Sequence, residues 1–164
     1  MKKMKCFGCG AWIEEVKGQP HEYIGAPQGC WNLYEQLLVK EFGEFNYPDS
    51  THRLAVDTYA IQHPGIPSRK SIQSVNIHLI SLYYIFIKNS TEKQATKKMS
   101  EILAQEPALE WLEPPKPNGH KTVIDVLKAK DQLEHERFVR ELAEDVWACW
   151  FSKHSGKIES LIKL

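Results

Sequence analysis

The sequence predicts a mainly α protein: a helical bundle of four to six helices with an N-terminal zinc-knuckle hairpin. Three observations predict it. Apolar residues recur at helical spacing over Cys30–Phe42, Thr51–Gln62, Ser71–Lys88 and Asp131–His154. Clusters of Pro and Gly separate these stretches, as chain-stop signals should. Cys6-Phe7-Gly8-Cys9-Gly10 stands ahead of them in a segment with no helical period. A chain of 164 residues suits one domain, 1–164, with 1–29 as the knuckle and hairpin and 30–164 as the helical body.

In chain order, Ala11–Val16 and His21–Ile24 flank Lys17-Gly18-Gln19-Pro20, which predicts a short hairpin about that turn. After a second turn at 25–29, the helix Cys30–Phe42 presents Cys30, Tyr34, Leu37 and Leu38 on one face. The central helix is Thr51–Gly65. Pro48, Asp49 and Ser50 offer a start, with a side-chain oxygen to cap the first turn, and Pro64-Gly65 the stop. His52, Val56, Tyr59 and His63 form one stripe, with Leu54 and Ile61 nearly opposite, so this helix should be sandwiched between others. In Ser71–Lys88 two apolar stripes enclose Ser74, His78 and Ser81. Thr91 should cap a helix reaching Gln105. Four prolines in 106–120 predict an irregular connection pinned by Trp111 and Leu112. A short helical piece at Thr122–Ala129 precedes the longest helix, Asp131–His154, which Gly156 should break before Ile158, Leu161 and Ile162 pack again.

The knuckle carries the clearest chemistry. A C-x-x-C-G turn aims two thiolates at one point, and Gly8 and Gly10 permit the backbone angles this needs. A tetrahedral zinc site needs two more ligands. Cys30 opens the next helix and is the third; His21 completes C-x2-C-x11-H-x8-C, and His63 is the first substitute for it. The expected cofactor is therefore Zn2+, held by Cys6, Cys9, His21 and Cys30 in a closed structural site. Thiol redox competes for the same motif, but wants a helix directly after it. Cys149, between Trp147 and Trp150, reads as packing.

A second set of residues suggests an enzyme as the alternative. His63 and His78, with Asp57 or His154, would form a polar pocket between helices able to host general-base or metal chemistry. His52 lies about 16 Å from His63 along one helix and cannot share a metal with it from there. Asp57 is also spaced to pair with Arg53. The charges balance at 21 Lys plus Arg against 21 Asp plus Glu, so no bulk nucleic-acid binding is expected. The apolar stretch Val75–Ile87 is too short and too interrupted to span a bilayer. With no apolar run behind its N-terminal charges, the chain is expected to be cytoplasmic, with a small ligand or protein as partner.

The set CFGCG, HEYIGAPQGCW, HRLAVDTYAIQHPG, QSVNIHLISL and VWACWFSKH, in this order from Cys6 to His154, resembles an uncharacterised bacterial family of helical proteins, a domain of unknown function. The resemblance implies a bacterial, cytoplasmic protein. It transfers no activity, substrate or catalytic residue.

Overall fold

The computed structural model describes residues 1–18 and 21–163. These form a hairpin, β1 (Lys3–Lys5) and β2 (Trp12–Glu14), and six helices: α1 (Gln28–Gly43), α2 (Asp49–Gln62), α3 (Arg69–Phe86), α4 (Glu92–Leu103), α5 (Val123–Val126) and α6 (Gln132–Ile162). The protein is mainly helical, with a small hairpin at its N-terminus.

The hairpin is not the one expected. Its strands pair Lys3 with Glu14, Met4 with Ile13 and Lys5 with Trp12, so the cysteine knuckle itself is the turn. Gly10 N–H donates to Cys6 O (2.9 Å), Cys6 N–H donates to Ala11 O (2.8 Å), and Gly10 adopts a positive φ of 77°. Closing a loop this short costs little chain entropy. His21–Ile24 forms no strand. Of the turn expected at Lys17–Pro20, Gln19 and Pro20 lie outside the described residues.

Helix α2 is the centre of the bundle, packing against α3 and α6 and touching α4. It begins at Asp49 behind Pro48 without the expected side-chain cap; the Asp49 carboxylate favours the positive helix end instead. Its two apolar sides serve two cores. Leu54 and Ile61 join Leu37, Val75, Leu79, Val139 and Trp150 in the main core, whereas Tyr59 and Ala60 join Ile13, Ile24 and Tyr34 beneath the hairpin.

Caps explain the remaining boundaries. Ser68 and Ser71 form a capping box that starts α3 at Arg69, and Thr91 forms one with Gln94 at the head of α4. Asp131 caps α6 by accepting from Glu134 N–H. The expected break at Gly156 falls two residues earlier: the chain kinks at His154 (φ −127°, ψ 19°), whose Nε2 donates to Glu113 O (2.7 Å), and then resumes its helix so that Ile158 is buried. Leu112 is buried and Trp111 packs on the core, as expected of the proline-rich connection. Asn118 fixes that connection further. Its Nδ2 donates to Ile61 O, its Oδ1 accepts from Trp150 Nε1, and its carbonyl accepts from Gln62 Nε2.

One buried ionic group ties three helices. Glu41 of α1 is fully buried; its Oε1 accepts from His135 Nε2 (2.8 Å) and its Oε2 from His52 Nδ1 (2.7 Å). Burial alone would push this carboxyl up, but the hydrogen bonds and charges of His135 and His52 outweigh it and hold the group below its usual range.

Candidate metal centre and adjoining cavity

Cys6 and Cys9 reach inward from the hairpin turn, Cys30 from the first turn of α1, and His63 from the residue that ends α2. All four are buried, and one ligand atom from each lies within 4.8 Å of the others. Cys9 Sγ is 3.9 Å from Cys30 Sγ, and Cys30 Sγ is 3.3 Å from His63 Nε2. Zn–S bonds of about 2.3 Å at tetrahedral angles set sulfurs about 3.8 Å apart, so the spacing of Cys9 and Cys30 suits a shared ion.

The surroundings prepare each ligand. His63 Nδ1 donates to Tyr59 O (2.9 Å), which leaves the Nε2 lone pair facing the sulfurs. Tyr59 also donates its hydroxyl to Cys30 Sγ (3.4 Å). Pro64 prevents α2 from continuing, and His63 takes a non-helical conformation (φ −129°, ψ 61°) there. Gly25 N–H donates to His63 O (2.8 Å) and holds the departing chain. Gly8 must be glycine for the knuckle to close: a Cβ there would stand 2.5 Å from His63 Cδ2 and 2.7 Å from Gln62 O.

The proton affinities describe the same convergence. Hydrogen bonds from the Cys30 and Cys9 thiols push the Cys6 thiol far down, and the Cys30 thiol is pushed up, chiefly by its bond to Cys6. Burial opposes charge on the His63 ring, but hydrogen bonds to Cys6 and Cys9 raise it to about 9. Four groups competing for few protons in a buried site are a group a metal cation would satisfy by displacing them. The residues therefore fit a metal ion, and the Cys3His set could hold one.

Beside this centre a cavity of about 490 Å³ opens between α1, α2 and α3. Trp31, Tyr34 and Tyr59 form one wall; Gln73, Ser74, Ile77 and His78 of α3 form the other. Tyr34 and Tyr59 stack at 4.1 Å. His78 Nδ1 donates to Asp57 Oδ1 (2.7 Å), and Ser81 Oγ donates to Asp57 Oδ2 (2.6 Å).

A family model described as a family of unknown function (DUF5946) matches residues 4–151. The chain belongs to this family. No curated protein and no solved structure matches the chain. The DUF5946 span holds Cys6, Cys9, Cys30 and His63 together with Asp57 and His78, and ends before the kink at His154.

Of the residues singled out in the sequence, the structure brings Cys6, Cys9 and Cys30 together and puts His63 where His21 was expected. His21 is exposed and packs its ring on Tyr23 (4.4 Å) and Trp31 (5.1 Å) at the cavity. Spacing along the chain favoured His21 because it sits between Cys9 and Cys30; His63 is 33 residues beyond Cys30 and arrives only through packing of α2. The signal for it was the Gln62-His63-Pro64-Gly65 stop, which places a histidine at a helix end. His63 and His78 do not meet in one constellation: His63 belongs to the cysteine group, whereas His78 lines the cavity with Asp57 behind it. Asp57 does not pair with Arg53, which reaches back to Asp49 instead (3.2 Å). His154 is occupied at the proline connection. Cys149 is half-buried and outside the metal group.

Proposed function

We propose that the protein is a bacterial, cytoplasmic zinc protein in which Cys6, Cys9, Cys30 and His63 form a closed structural site, and that the helical body binds a small ligand or a protein partner. One observation carries the metal reading: three cysteine sulfurs and one imidazole nitrogen, all buried, lie within 4.8 Å of one another. Zinc is favoured over harder cations because thiolate-rich tetrahedral sets suit it. Four protein ligands leave no open position for water or substrate, which argues for a structural rather than a catalytic role. The site would clamp the hairpin, too small to build its own core, onto α1 and the end of α2.

The test is the zinc content of protein purified under reducing conditions with zinc supplied. One equivalent is expected in the wild type and in His21→Ala, and a clear deficit in Cys6→Ser and His63→Ala. A wild type that takes up no zinc overturns the reading.

A second reading, an enzyme, is favoured by the Asp57–His78 pair beside the cavity. His78, oriented by Asp57, would be its general base; His63 would serve only the metal. Its test is hydrolysis of aryl esters by the wild type and His78→Ala, and equal rates in the two remove His78 from that role.

A further inference from the structure

We propose that the cavity between α1, α2 and α3 is a binding site for a small planar aromatic compound carrying an O–H or N–H donor. This deepens the ligand-binding reading above and rests on it. The two walls of the cavity differ in chemistry. The α1–α2 wall is aromatic: Tyr34 and Tyr59 are stacked, and Trp31 stands 5.5 Å from Tyr34 and 6.0 Å from Tyr59. These rings brace one another, so the wall can receive a flat ring at little cost in side-chain order. The opposite wall is the face of α3 that carries Gln73, Ser74, Ile77 and His78, with Gln73 and Ile77, and Ser74 and His78, one helical turn apart.

The polar groups define which ring compound fits. As a carboxylate, Asp57 only accepts, and it takes the His78 Nδ1 proton and the Ser81 hydroxyl proton. With Nδ1 as the donor to Asp57, Nε2 of the Nδ1–H tautomer is an acceptor, and that nitrogen has no partner among the described residues. Tyr34 supplies the complement. Burial, with the charges of Glu41 and Asp57 added, pushes its phenol up and keeps it a donor, and its hydroxyl too finds no partner among the described residues. A ligand that donates to His78 Nε2 while its ring lies on the aromatic wall uses both features. The volume, about 490 Å³, suits a compound of one or two rings rather than a polymer segment. Lys70, which also lines the cavity, forms an exposed ion pair with Glu22 that links α3 to the 21–24 segment.

The experiment is isothermal titration of the full chain with 4-nitrophenol and with nitrobenzene, the same ring without the donor. The wild type should bind 4-nitrophenol saturably and prefer it about tenfold, the size of one buried hydrogen bond. His78→Asn places an amide where Nδ1 stood, keeps Asp57 partnered and lacks Nε2; it should lose that preference. Val56→Trp and Gln73→Trp fill the cavity from opposite walls, and whichever retains the wild-type circular dichroism should lose binding. No saturable binding of 4-nitrophenol by the wild type overturns the proposal, as does wild-type affinity in a folded cavity-filling variant or an unchanged preference in His78→Asn. Zinc content is measured on the same samples. Full zinc without 4-nitrophenol binding sinks this proposal alone, and binding without zinc sinks the metal reading alone.

Discussion

His63 works with both ring nitrogens: Nδ1 is anchored on Tyr59 O and Nε2 faces the cysteines. Removing the ring takes away one member of the Cys3His group without touching the fold of α2, which ends at Gln62. His63→Ala should therefore lower zinc affinity steeply while His21→Ala leaves it unchanged, as competition with a zinc indicator dye will read. Glu41 gives a second prediction. Glu41→Ala leaves His135 buried without its acceptor, and breaking a buried ion pair from one side costs about 3–5 kcal/mol, measurable by urea unfolding. The sign of its pH dependence follows from the lowered carboxyl. Its contribution is complete above the unfolded value of 4.5 and is lost as pH falls below that towards the folded value. The stability gap between wild type and Glu41→Ala should narrow as pH falls below about 4.5. A gap that widens as pH falls through that range contradicts this account.

At the scale of elements, the hairpin approaches the end of α2 closely at Gly8. Gly8→Ala would force either the knuckle or His63 to move, because one of the contacts is backbone. Zinc affinity should fall by about 10–100-fold, as for other changes that displace a ligand's support, with the helices intact by circular dichroism. An alanine variant with wild-type affinity would mean the knuckle is looser than drawn. Helix α6 offers a separate test: Asp131 caps its first turn, and Asp131→Ala should cost about 1 kcal/mol with no effect on zinc.

For the whole molecule, the main core around Leu79, Val139 and Trp150 excludes Cys6, Cys9 and Cys30, which sit in the smaller cluster beneath the hairpin. Chelation should then loosen the N-terminal segment and lower the melting temperature while most helical circular dichroism survives. Hydrogen exchange should rise first at residues 3–14 and at the start of α1. Loss of the whole helical signal on chelation would mean that the metal organises the bundle and not just the hairpin. Among the described residues, no helix is long and apolar enough to cross a membrane.

What was legible in the sequence was local. Helical periodicity, the cap at Thr91 and the Pro64-Gly65 stop placed the main helices because each depends on residues a turn or two apart. The cysteine knuckle was legible for the same reason: Cys6, Gly8, Cys9 and Gly10 bend one short loop. The sequence also marked α2 as lying between two apolar surroundings. Only the tertiary structure decided the fourth member of the cysteine group, because His21 and His63 differ in where packing carries them and not in chemistry. Likewise it alone separated His63 from the Asp57–His78 pair that the sequence had grouped with it, and joined Glu41 to His52 and His135 across three helices. Such contacts link residues far apart in the chain. Their partners follow from how helix faces pack, which one-dimensional spacing does not encode.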